Sequence, residues 1–384
     1  MRFTRYKRMY KNIVLFSLQT FSTTGGIQKM TRTLAHSLQN ICKKNGWDFK
    51  LSSLYDNCSD VMPQYVTGNS FKGYNNSRLK FVCGSLYSAR KPDIIILSHI
   101  NLALIGLIIS YINPKCRVWL IAHGIEIWRP LPYHKRLLLK KCHKVICVSK
   151  FTKDQVIARH HIKPEVCEIL NNAVDPFMKL PKTFTKPDYL LKRYGLTPAN
   201  HVIFTLSRLA YSEQYKGHDM VIKAISRLKD QFADIKYVLA GQYDTVEELR
   251  IKKLITYYKV SDQVILTGFI NEQEFVDHFL MADLFVLPSK KEGFGIVFIE
   301  ALACGLPVIC GNADGSVDAI LNGKLGTAIN TDNEAELEKA IIDNLTLPLT
   351  ISRRQHLQDK CLQNFSEQNY IDKLTQLLID EPTG

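Results

Sequence analysis

Short apolar runs alternate with stretches of mixed hydrophobic and polar residues along this chain. The runs are nearly continuous in hydrophobic residues, which is the pattern of strands buried on both faces of a parallel sheet. They fall at Ile13–Leu18, Asp93–Ser98, Val118–Ala122 and Lys144–Ser149 in the first half, and at His201–Leu206, Lys236–Ala240, Gln263–Thr267, Leu284–Leu287 and Pro307–Cys310 in the second. Helical spacing dominates between them. The pattern therefore predicts an α/β protein with two doubly wound, Rossmann-like parallel sheets.

A segment without periodicity separates the two sets of strands. It runs from Leu180 to Pro187 and contains two prolines, which is typical of a linker. We therefore predict one domain over residues 1–180 and a second over 181–365, followed by a helix within 366–384. Ligands of doubly wound sheets bind beyond the carboxyl ends of the strands, so we expect the two domains to face a central cleft that holds the site.

The composition is that of a globular chain, with 384 residues of which 46% are hydrophobic and 22% charged. Its ten cysteines show no CxxC pair and no zinc spacing, which is typical of reduced thiols in the cytosol. Residues Met1–Arg8 lead into a strand without the apolar region of a signal peptide. The most apolar span, Leu102–Ile112, is about half as long as a bilayer crossing requires and predicts a core helix. A cytoplasmic location is expected.

Charge is distributed unevenly along the chain. Residues 1–180 contain 28 Lys and Arg against 9 Asp and Glu, whereas residues 181–384 contain 22 against 27. Such an excess in one half indicates an anionic partner. No nucleic-acid-binding module is recognisable, and cations alternate with bulky apolar residues between Trp128 and Lys141, which favours an anionic membrane surface. The alternative is a solvated helix face with leucines packed beneath it.

One glycine-rich segment carries the candidate chemistry. Glu292-Gly-Phe-Gly-Ile-Val-Phe-Ile-Glu300 lies between two predicted strands, so its order is strand, turn, helix. The first amides of that helix, expected at Ile296 and Val297, would face a ligand and suit a diphosphate. The carboxylates of Glu292 and Glu300 only accept hydrogen bonds and therefore suit the hydroxyls of a sugar and a ribose. The alternative is an ordinary glycine-rich turn with two glutamates at this spacing by chance.

Other segments share a family pattern with this one. They are Ile13–Phe16 followed by Thr24–Gln28, Ala122–Trp128, Val148–Thr152, Asn172–Asp175, Leu206–Leu209, Lys216-Gly217 and Thr267–Ile270. Together they cover most of the chain, which resembles the retaining glycosyltransferases of family 4, with their Glu-(x)7-Glu signature and two-domain GT-B fold. One departure is Ala173, where the family's Asn-Gly-Val-Asp motif has glycine.

The resemblance assigns roles to several residues. It implies that Arg208 and Lys216 clamp the donor's phosphates, that Glu292 holds the hexose, that Glu300 holds the ribose, and that His123 lies near the transferred hexose. The catalytic set is then Arg208, Lys216, Glu292 and His123, and the donor-binding set is Gly25, Gly26, Arg208, Lys216, Gly268, Phe269, Ile270, Glu292, Gly293, Phe294, Gly295, Ile296, Val297 and Glu300. The bland alternatives are an ion pair for Arg208, an exposed side chain for Lys216 and a structural role for His123.

Two of these assignments concern loops next to strands. Gly25 and Gly26 follow a strand and precede a helix, so the backbone can approach a diphosphate or an acceptor closely, although a glycine pair can also make only a tight turn. The loop at Gly268, Phe269 and Ile270 is expected, by the resemblance, to contact the nucleotide base.

The expected function is retaining transfer of a hexose from a UDP- or GDP-linked sugar to a glycan or lipid-linked acceptor in surface polysaccharide biosynthesis. We expect no cofactor and no metal, because the chain has no Asp-x-Asp triplet and its cations can stabilise the leaving diphosphate. By the resemblance, the C-terminal helix should pack on the first domain. The partners are then the nucleotide sugar, the acceptor and the inner face of a membrane, not nucleic acid. Two alternatives stay open: a nucleotide-sugar epimerase of the same architecture, and a non-catalytic anion-binding protein.

Overall fold

The computed structural model describes residues 11–88 and 92–379. They form two compact units. The first extends to Phe177 and includes the C-terminal segment from Glu367, and the second is Met178–Ser366. The expectation about a signal peptide concerned Met1–Arg8, which lie outside the described residues. In the two described ranges, every helix is too short or too polar to cross a membrane.

The first unit is built on a parallel sheet. Its strands are β1 (Asn12–Ser17), β2 (Asp48–Ser53), β3 (Phe71–Gly73), β4 (Ile94–Leu97), β5 (Arg117–Ala122), β6 (Lys144–Cys147) and β7 (Cys167–Ile169). Their order in the sheet is β3-β2-β1-β4-β5-β6-β7, with every neighbouring pair parallel. The predicted strands of this half are found at β1, β4, β5 and β6, with ends shifted by one or two residues. The sequence did not predict β2, β3 and β7, because β2 carries polar residues and the other two have three residues each.

Helices cover both faces of this sheet. They are α1 (Gly26–Asn45), α2 (Arg78–Ser88), α3 (Ala103–Ile112), α4 (Ile125–Trp128), α5 (Tyr133–Lys141) and α6 (Lys150–His160), with 3₁₀ turns at Cys58–Asp60, Gly68–Ser70, Ile100–Leu102 and Pro164–Val166. On one face, α2, α3, α5 and α6 pack through Phe81, Ile105, Leu138 and Val156 onto Phe16, Leu97, Leu120 and Cys147 of the strands.

The prediction of a core helix at Leu102–Ile112 is half wrong. α3 buries Ile105, Leu107 and Ile109, but Leu104 and Ile108 are exposed on its other side. The residues of α3 are apolar on all sides of the helix, whereas the fold provides a packing partner along only one side. Its sequence therefore could not reveal which side faces solvent.

The second unit repeats the parallel-sheet design. Its strands are β8 (His201–Leu206), β9 (Ile235–Ala240), β10 (Val264–Gly268), β11 (Leu284–Leu287), β12 (Val308–Gly311) and β13 (Thr327–Ile329), in the order β10-β9-β8-β11-β12-β13. Its helices are α7 (Asp188–Arg193), α8 (His218–Leu228), α9 (Thr245–Tyr257), α10 (Phe275–Met281), α11 (Ile296–Ala303), α12 (Ser316–Ala319), α13 (Glu334–Thr346) and α14 (Ile351–Phe365), with 3₁₀ segments at Tyr211–Lys216 and Glu272–Glu274. All the strands predicted in this half are found, and the short β13 was not predicted.

The last described helix, α15 (Glu367–Ile379), belongs to the first unit and packs against α1. Nδ1 of His36 on α1 lies 2.5 Å from a carboxylate oxygen of Glu367, and Leu374 and Leu378 are buried. Residues 380–384 of the predicted terminal helix lie outside the described residues. α15 thus completes the first unit from the far end of the chain.

Candidate active site

In the second unit, loops that follow several strands meet at the carboxyl edge of the sheet. Gly241 follows β9 with φ of 141°, and a Cβ there would lie 1.7 Å from the carbonyl oxygen of Ser207. Only glycine permits that approach. The N–H of Lys290, after β11, donates to the carbonyl of Tyr215 at 2.9 Å. That bond places Lys216 beside the glycine-rich turn.

The turn between β11 and α11 has the order that the sequence predicted. Gly293 lies within it, and Gly295 precedes the helix in the left-handed region with φ of 75°. A Cβ on Gly295 would lie 2.6 Å from the ring of Phe298. The helix begins at Ile296, and the N–H groups of Ile296 and Val297 belong to the first turn, whose N–H groups find no acceptor within the helix itself. This end of α11 is therefore suited to an anion.

Lys216 and Glu292 form a salt bridge next to this turn. Nζ of Lys216 donates to a carboxylate oxygen of Glu292, and both side chains are 14% exposed. Burial alone would lower the pKa of Lys216, but the Glu292 carboxylate reverses the effect and raises it, so Lys216 is a cation. The structure thus brings together two of the predicted catalytic residues. A bound sugar diphosphate would meet a cation and a carboxylate at one point.

Asp314 fixes the backbone of Glu292. Its carboxylate accepts the N–H of Glu292 at 2.6 Å and that of Ser316 at 3.0 Å. The N–H of Gly315 donates to the carbonyl of Glu292 at 2.8 Å. Asp314 is buried, and burial, aided by the nearby Glu292 charge, raises the pKa of its carboxyl to about 7 despite the hydrogen bonds from Ser316.

Arg208 lies after β8 and forms an ion pair of its own. Its Nε lies 3.3 Å from the Glu213 carboxylate, and one of its terminal nitrogens donates to the same group. This hydrogen-bonded pairing raises the pKa of Arg208. The Arg208 side chain is 71% exposed and so is open to a further anion. Nζ of Lys291 lies 5.5 Å from the ring centre of Tyr215, which adds a cation to this edge.

The predicted base-contacting loop follows β10. Gly268 ends the strand with φ of 72°, and its carbonyl accepts the N–H of Gly241 at 2.8 Å. Phe269 is 63% exposed, whereas Ile270 is buried. The exposed ring is therefore the part of this loop that a flat base could stack on.

Two further predicted donor-binding residues have buried side chains. Phe294 packs edge-to-face on Phe365 with ring centres 5.7 Å apart, so its side chain is part of the core. Glu300 lies on α11 and is also buried.

In residues 11–88 and 92–379, no three His, Cys, Asp or Glu side chains cluster so that they could hold a metal ion.

His123 lies at the carboxyl end of β5 in the first unit. Its Nε2–H donates to the carbonyl of Ser98 at 2.9 Å, and its backbone N–H donates to the Glu126 carboxylate at 2.7 Å. Burial lowers the pKa of His123, so the ring is neutral. Because a carbonyl only accepts, Nε2 carries the proton and Nδ1 is left as an acceptor.

A small pocket beside His123 also contains Asn172 and Tyr370. Both are buried, and neither side chain has a hydrogen-bond partner within the described part of the chain. The pocket thus presents three side chains, those of His123, Asn172 and Tyr370, that could bond a hydroxyl-rich ligand.

The predicted glycine pair lies at the start of the first long helix. Gly25 is extended, with φ of −174°, and precedes α1, which begins at Gly26.

Sequence reasoning missed Asp314, Glu213 and Tyr370. Asp314 lies three residues after the end of the buried strand β12, and a polar residue in the loop that follows such a strand was a usable signal. Glu213 lies in a 3₁₀ segment and has non-helical dihedral angles, so its spacing from Arg208 predicted no contact. Tyr370 lies on α15, whose packing on the first domain was expected, but nothing in the neighbouring sequence indicated that its side chain lines this pocket.

Two family models match the chain in succession. The model described as Glycosyltransferase Family 4 matches residues 24–176, and the model described as Glycosyl transferases group 1 matches residues 192–361. One match falls in each structural unit.

Two curated relatives are similar to parts of the chain. The GDP-mannose-dependent α-(1-6)-phosphatidylinositol monomannoside mannosyltransferase of Mycolicibacterium smegmatis is 29% identical over 64% of this chain and 65% of its own length. The N-acetylgalactosamine-N,N'-diacetylbacillosaminyl-diphospho-undecaprenol 4-α-N-acetylgalactosaminyltransferase of Campylobacter jejuni is 30% identical over 52% of this chain and 49% of its own. The chain therefore spans less than two thirds of the length of these relatives.

Solved structures share this fold. HepE of Anabaena, in complex with UDP-glucose, matches 97% of this chain and 100% of its own with a TM-score of 0.76 at 19% identity. Sucrose-phosphate synthase of Thermosynechococcus elongatus matches 96% and 98%, with a TM-score of 0.73 at 17% identity. The two parallel-sheet units are those of the GT-B class of glycosyltransferase folds. With the family models matching both units, the chain belongs to glycosyltransferase family 4.

Proposed function

We propose that this protein transfers a hexose, with retention of anomeric configuration, from a UDP- or GDP-linked sugar to a glycan or lipid-linked acceptor in surface polysaccharide biosynthesis. The observation that carries the proposal is the Lys216–Glu292 pair beside the first turn of α11. A cation, a carboxylate and helix N–H groups meet there, as a sugar diphosphate requires. The Mycolicibacterium relative is named for GDP-mannose and the HepE structure holds UDP-glucose, which supports both donor classes.

The residues of the second unit stabilise the leaving group. Breaking the bond between the anomeric carbon and the phosphate oxygen produces an oxocarbenium-like sugar and a diphosphate that gains negative charge. Arg208, Lys216 and the first amides of α11 supply fixed positive charge to it. Charge-assisted hydrogen bonds contribute about 1.5–3 kcal/mol each, so a few of them account for a large part of a barrier reduction. The reaction in this proposal needs no metal ion and no cofactor.

The acceptor step proceeds without a protein nucleophile. The acceptor hydroxyl attacks the anomeric carbon on the face from which the phosphate departs. The new C–O bond forms as the phosphate bond breaks, and the hydroxyl proton passes to the departing phosphate oxygen. Glu292 accepts hydrogen bonds from the hexose and Glu300 from the ribose, and the neutral Nδ1 of His123 accepts one from a hexose or acceptor hydroxyl.

The reaction belongs, in this proposal, at the cytoplasmic face of a membrane. The excess of Lys and Arg over Asp and Glu in residues 1–180 supports an anionic surface as a partner. Nucleic acid has no part in the proposal.

A donor screen followed by product analysis tests it. UDP-glucose, UDP-galactose and GDP-mannose are added to the protein in thermal unfolding, where a bound donor raises the Tm by mass action. With the stabilising donor and an acceptor, NMR should show a product of retained anomeric configuration. A chelator should leave product formation unchanged, and Glu292→Gln should abolish it. An inverted product refutes retention, and interconversion of nucleotide sugars without acceptor points to an epimerase. If no nucleotide sugar stabilises the protein, the transferase proposal fails.

A further inference from the structure

An apolar row runs along the solvent side of α3. Leu104, Ile108, Tyr111 and Ile112 recur at helical spacing and are 59%, 39%, 64% and 50% exposed, while the other side of α3 packs on the sheet. Side chains at this spacing form one stripe. Large apolar residues scattered singly over a surface are ordinary, but a stripe of them marks an interaction site.

The neighbouring helices extend this stripe. α2 and α5 flank α3 on the same face of the sheet. Leu79 and Tyr87 on α2 are 82% and 76% exposed, and Tyr133 at the start of α5 is 72% exposed. We call the solvent side of these three helices the α2–α3–α5 face.

The charges on this face have one sign. α2, α3 and α5 contain six Lys and Arg residues and no Asp or Glu. Arg78, Lys80, Arg136 and Lys140 are exposed and form no ion pair within the described residues. Nζ of Lys141 lies 4.3 Å from the ring centre of Tyr111, at the border of the apolar stripe. Cations therefore surround an apolar strip with no acid to neutralise them.

The sequence had pointed to the segment Trp128–Lys141, which contains α5, as the part of the chain that rests on anionic headgroups. Leu138 and Leu139 of that segment are buried against the sheet, so they add no apolar contact with a membrane. These leucines pack beneath the helix, while Arg136 and Lys140 of α5 stay exposed. The apolar contact comes instead from α3, which the sequence assigned to the core.

We propose that the α2–α3–α5 face docks on an anionic phospholipid bilayer, with the α3 stripe among the acyl chains and the flanking cations on the headgroups. Charge complementarity selects this partner, because cations around an apolar strip fit a surface that is charged outside and apolar beneath. The inference rests on the proposed function only for its purpose, which is access to a lipid-linked acceptor.

The face reaches the candidate site at one edge. Leu104 and Tyr133 lie in the first turns of α3 and α5, at the edge of the sheet where His123 follows β5. The Nζ of Lys135 on α5 donates to Oδ1 of Asn101 at 2.5 Å, and the N–H of Asn101 donates to the ring of His99, two residues after β4. A bilayer on this face would therefore lie close to the carboxyl ends of β4 and β5, where an acceptor headgroup could enter.

Vesicle cosedimentation of the full chain tests the proposal. The vesicles are phosphatidylcholine alone or phosphatidylcholine with added phosphatidylglycerol. Each cation at such a surface changes partitioning about fivefold, so Arg136→Glu with Lys140→Glu should weaken binding by at least about 25-fold. Ile108→Ser with Tyr111→Ser should weaken it roughly tenfold or more, since apolar area leaves the bilayer. Thermal unfolding checks that each variant folds.

The matched control is Lys253→Glu with Tyr257→Ser on α9 of the second unit, where both residues are exposed. It should bind vesicles as the wild type does. The proposal is overturned if the wild type binds neither vesicle type or binds both equally. It is also overturned if the control variant loses as much binding as the variants of the α2–α3–α5 face. Retention on heparin without vesicle binding also overturns it, in favour of a soluble polyanion. Because vesicle binding needs no donor, its outcome is separate from that of the nucleotide-sugar screen.

Discussion

The buried carboxylate of Asp314 accepts the backbone N–H of Glu292 at 2.6 Å, across two loops that leave different strands. The carbonyl of Glu292 is held in turn by the N–H of Gly315 at 2.8 Å. Both the N–H and the carbonyl of Glu292 are therefore held by hydrogen bonds. This fixes the backbone from which the Glu292 side chain reaches Lys216. Burial raises the pKa of Asp314 to about 7, so the charge of this carboxyl group changes near neutral pH.

That titration predicts a pH-dependent stability. Between the pKa of an unfolded Asp, about 4, and that of Asp314, the folded state binds a proton that the unfolded state has lost. Stability from this group is therefore present at low pH and lost as pH rises towards 7. The free energy of unfolding of wild type relative to Asp314→Asn should be about 3 kcal/mol greater at about pH 5 than at about pH 8. Urea denaturation measures it, and a difference independent of pH would contradict the expectation.

Replacing one partner of the Lys216–Glu292 salt bridge should lower the free energy of unfolding more than replacing both. Lys216→Met leaves Glu292, whose side chain is 14% exposed, as a largely buried charge without its partner, and we expect a loss of up to about 3–5 kcal/mol, the value for a fully buried pair. Lys216→Met with Glu292→Leu should recover most of that loss and still transfer no sugar. Chemical denaturation and a transfer assay give the two readouts. The exposed pair of Lys339 and Asp343 is the control, and Lys339→Met should change stability little. A double variant no more stable than the single one would refute the argument.

The pairing of Arg208 with Glu213 predicts competition with the donor. A diphosphate must share the guanidinium with the carboxylate, so Glu213→Gln should bind the donor's nucleoside diphosphate more tightly. Arg208→Ala should bind it about 10- to 100-fold more weakly, the value of a charge-assisted hydrogen bond. Calorimetry measures both. Arg193→Ala, at another Arg–Glu pair of the same unit, should leave the affinity unchanged. Equal losses at Arg193 and Arg208 would count against a phosphate contact.

The neutral ring of His123 predicts a particular pH profile. Burial lowers the pKa of His123, so its Nδ1 stays an acceptor through the range in which an ordinary histidine gains a proton. The acid limb of kcat/KM due to this residue should therefore lie below the usual histidine pKa of about 6.5. His123→Phe should lower kcat/KM about tenfold or more. His356→Asn, at an exposed histidine of α14, should have no effect. A limb at the usual histidine pKa that disappears in His123→Phe would show a solvated ring instead.

The contact of Gly241 with Ser207 predicts a local loss of stability. Gly241→Ala must move the Ser207 backbone, because its Cβ would lie 1.7 Å from a carbonyl oxygen. We expect a loss of more than about 3 kcal/mol, measured by thermal unfolding. Gly46→Ala separates the two causes, since Gly46 has positive φ but no atom within 4 Å of a Cβ. It should cost only about 1 kcal/mol. Similar losses at both positions would mean that backbone strain alone matters.

The sequence by itself determined the elements with strong local patterns. Buried strands such as Leu284–Leu287 and the strand–turn–helix order around Glu292 follow from runs of apolar residues and glycines, which are local properties. The three-residue strands β3, β7 and β13 escaped prediction, because their pairing is set by the neighbouring strand and not by their own length or pattern.

Only the tertiary structure decided which chemical groups meet. Glu292 and Lys216 are 76 residues apart and Glu292 and Asp314 are 22 apart, and their contacts depend on which strands lie side by side in the sheet. The exposed side of α3 was likewise set by packing, since its sequence is apolar all round. Periodicity and residue type act over a few positions, whereas partners and exposure arise from the order of strands, which no local pattern encodes.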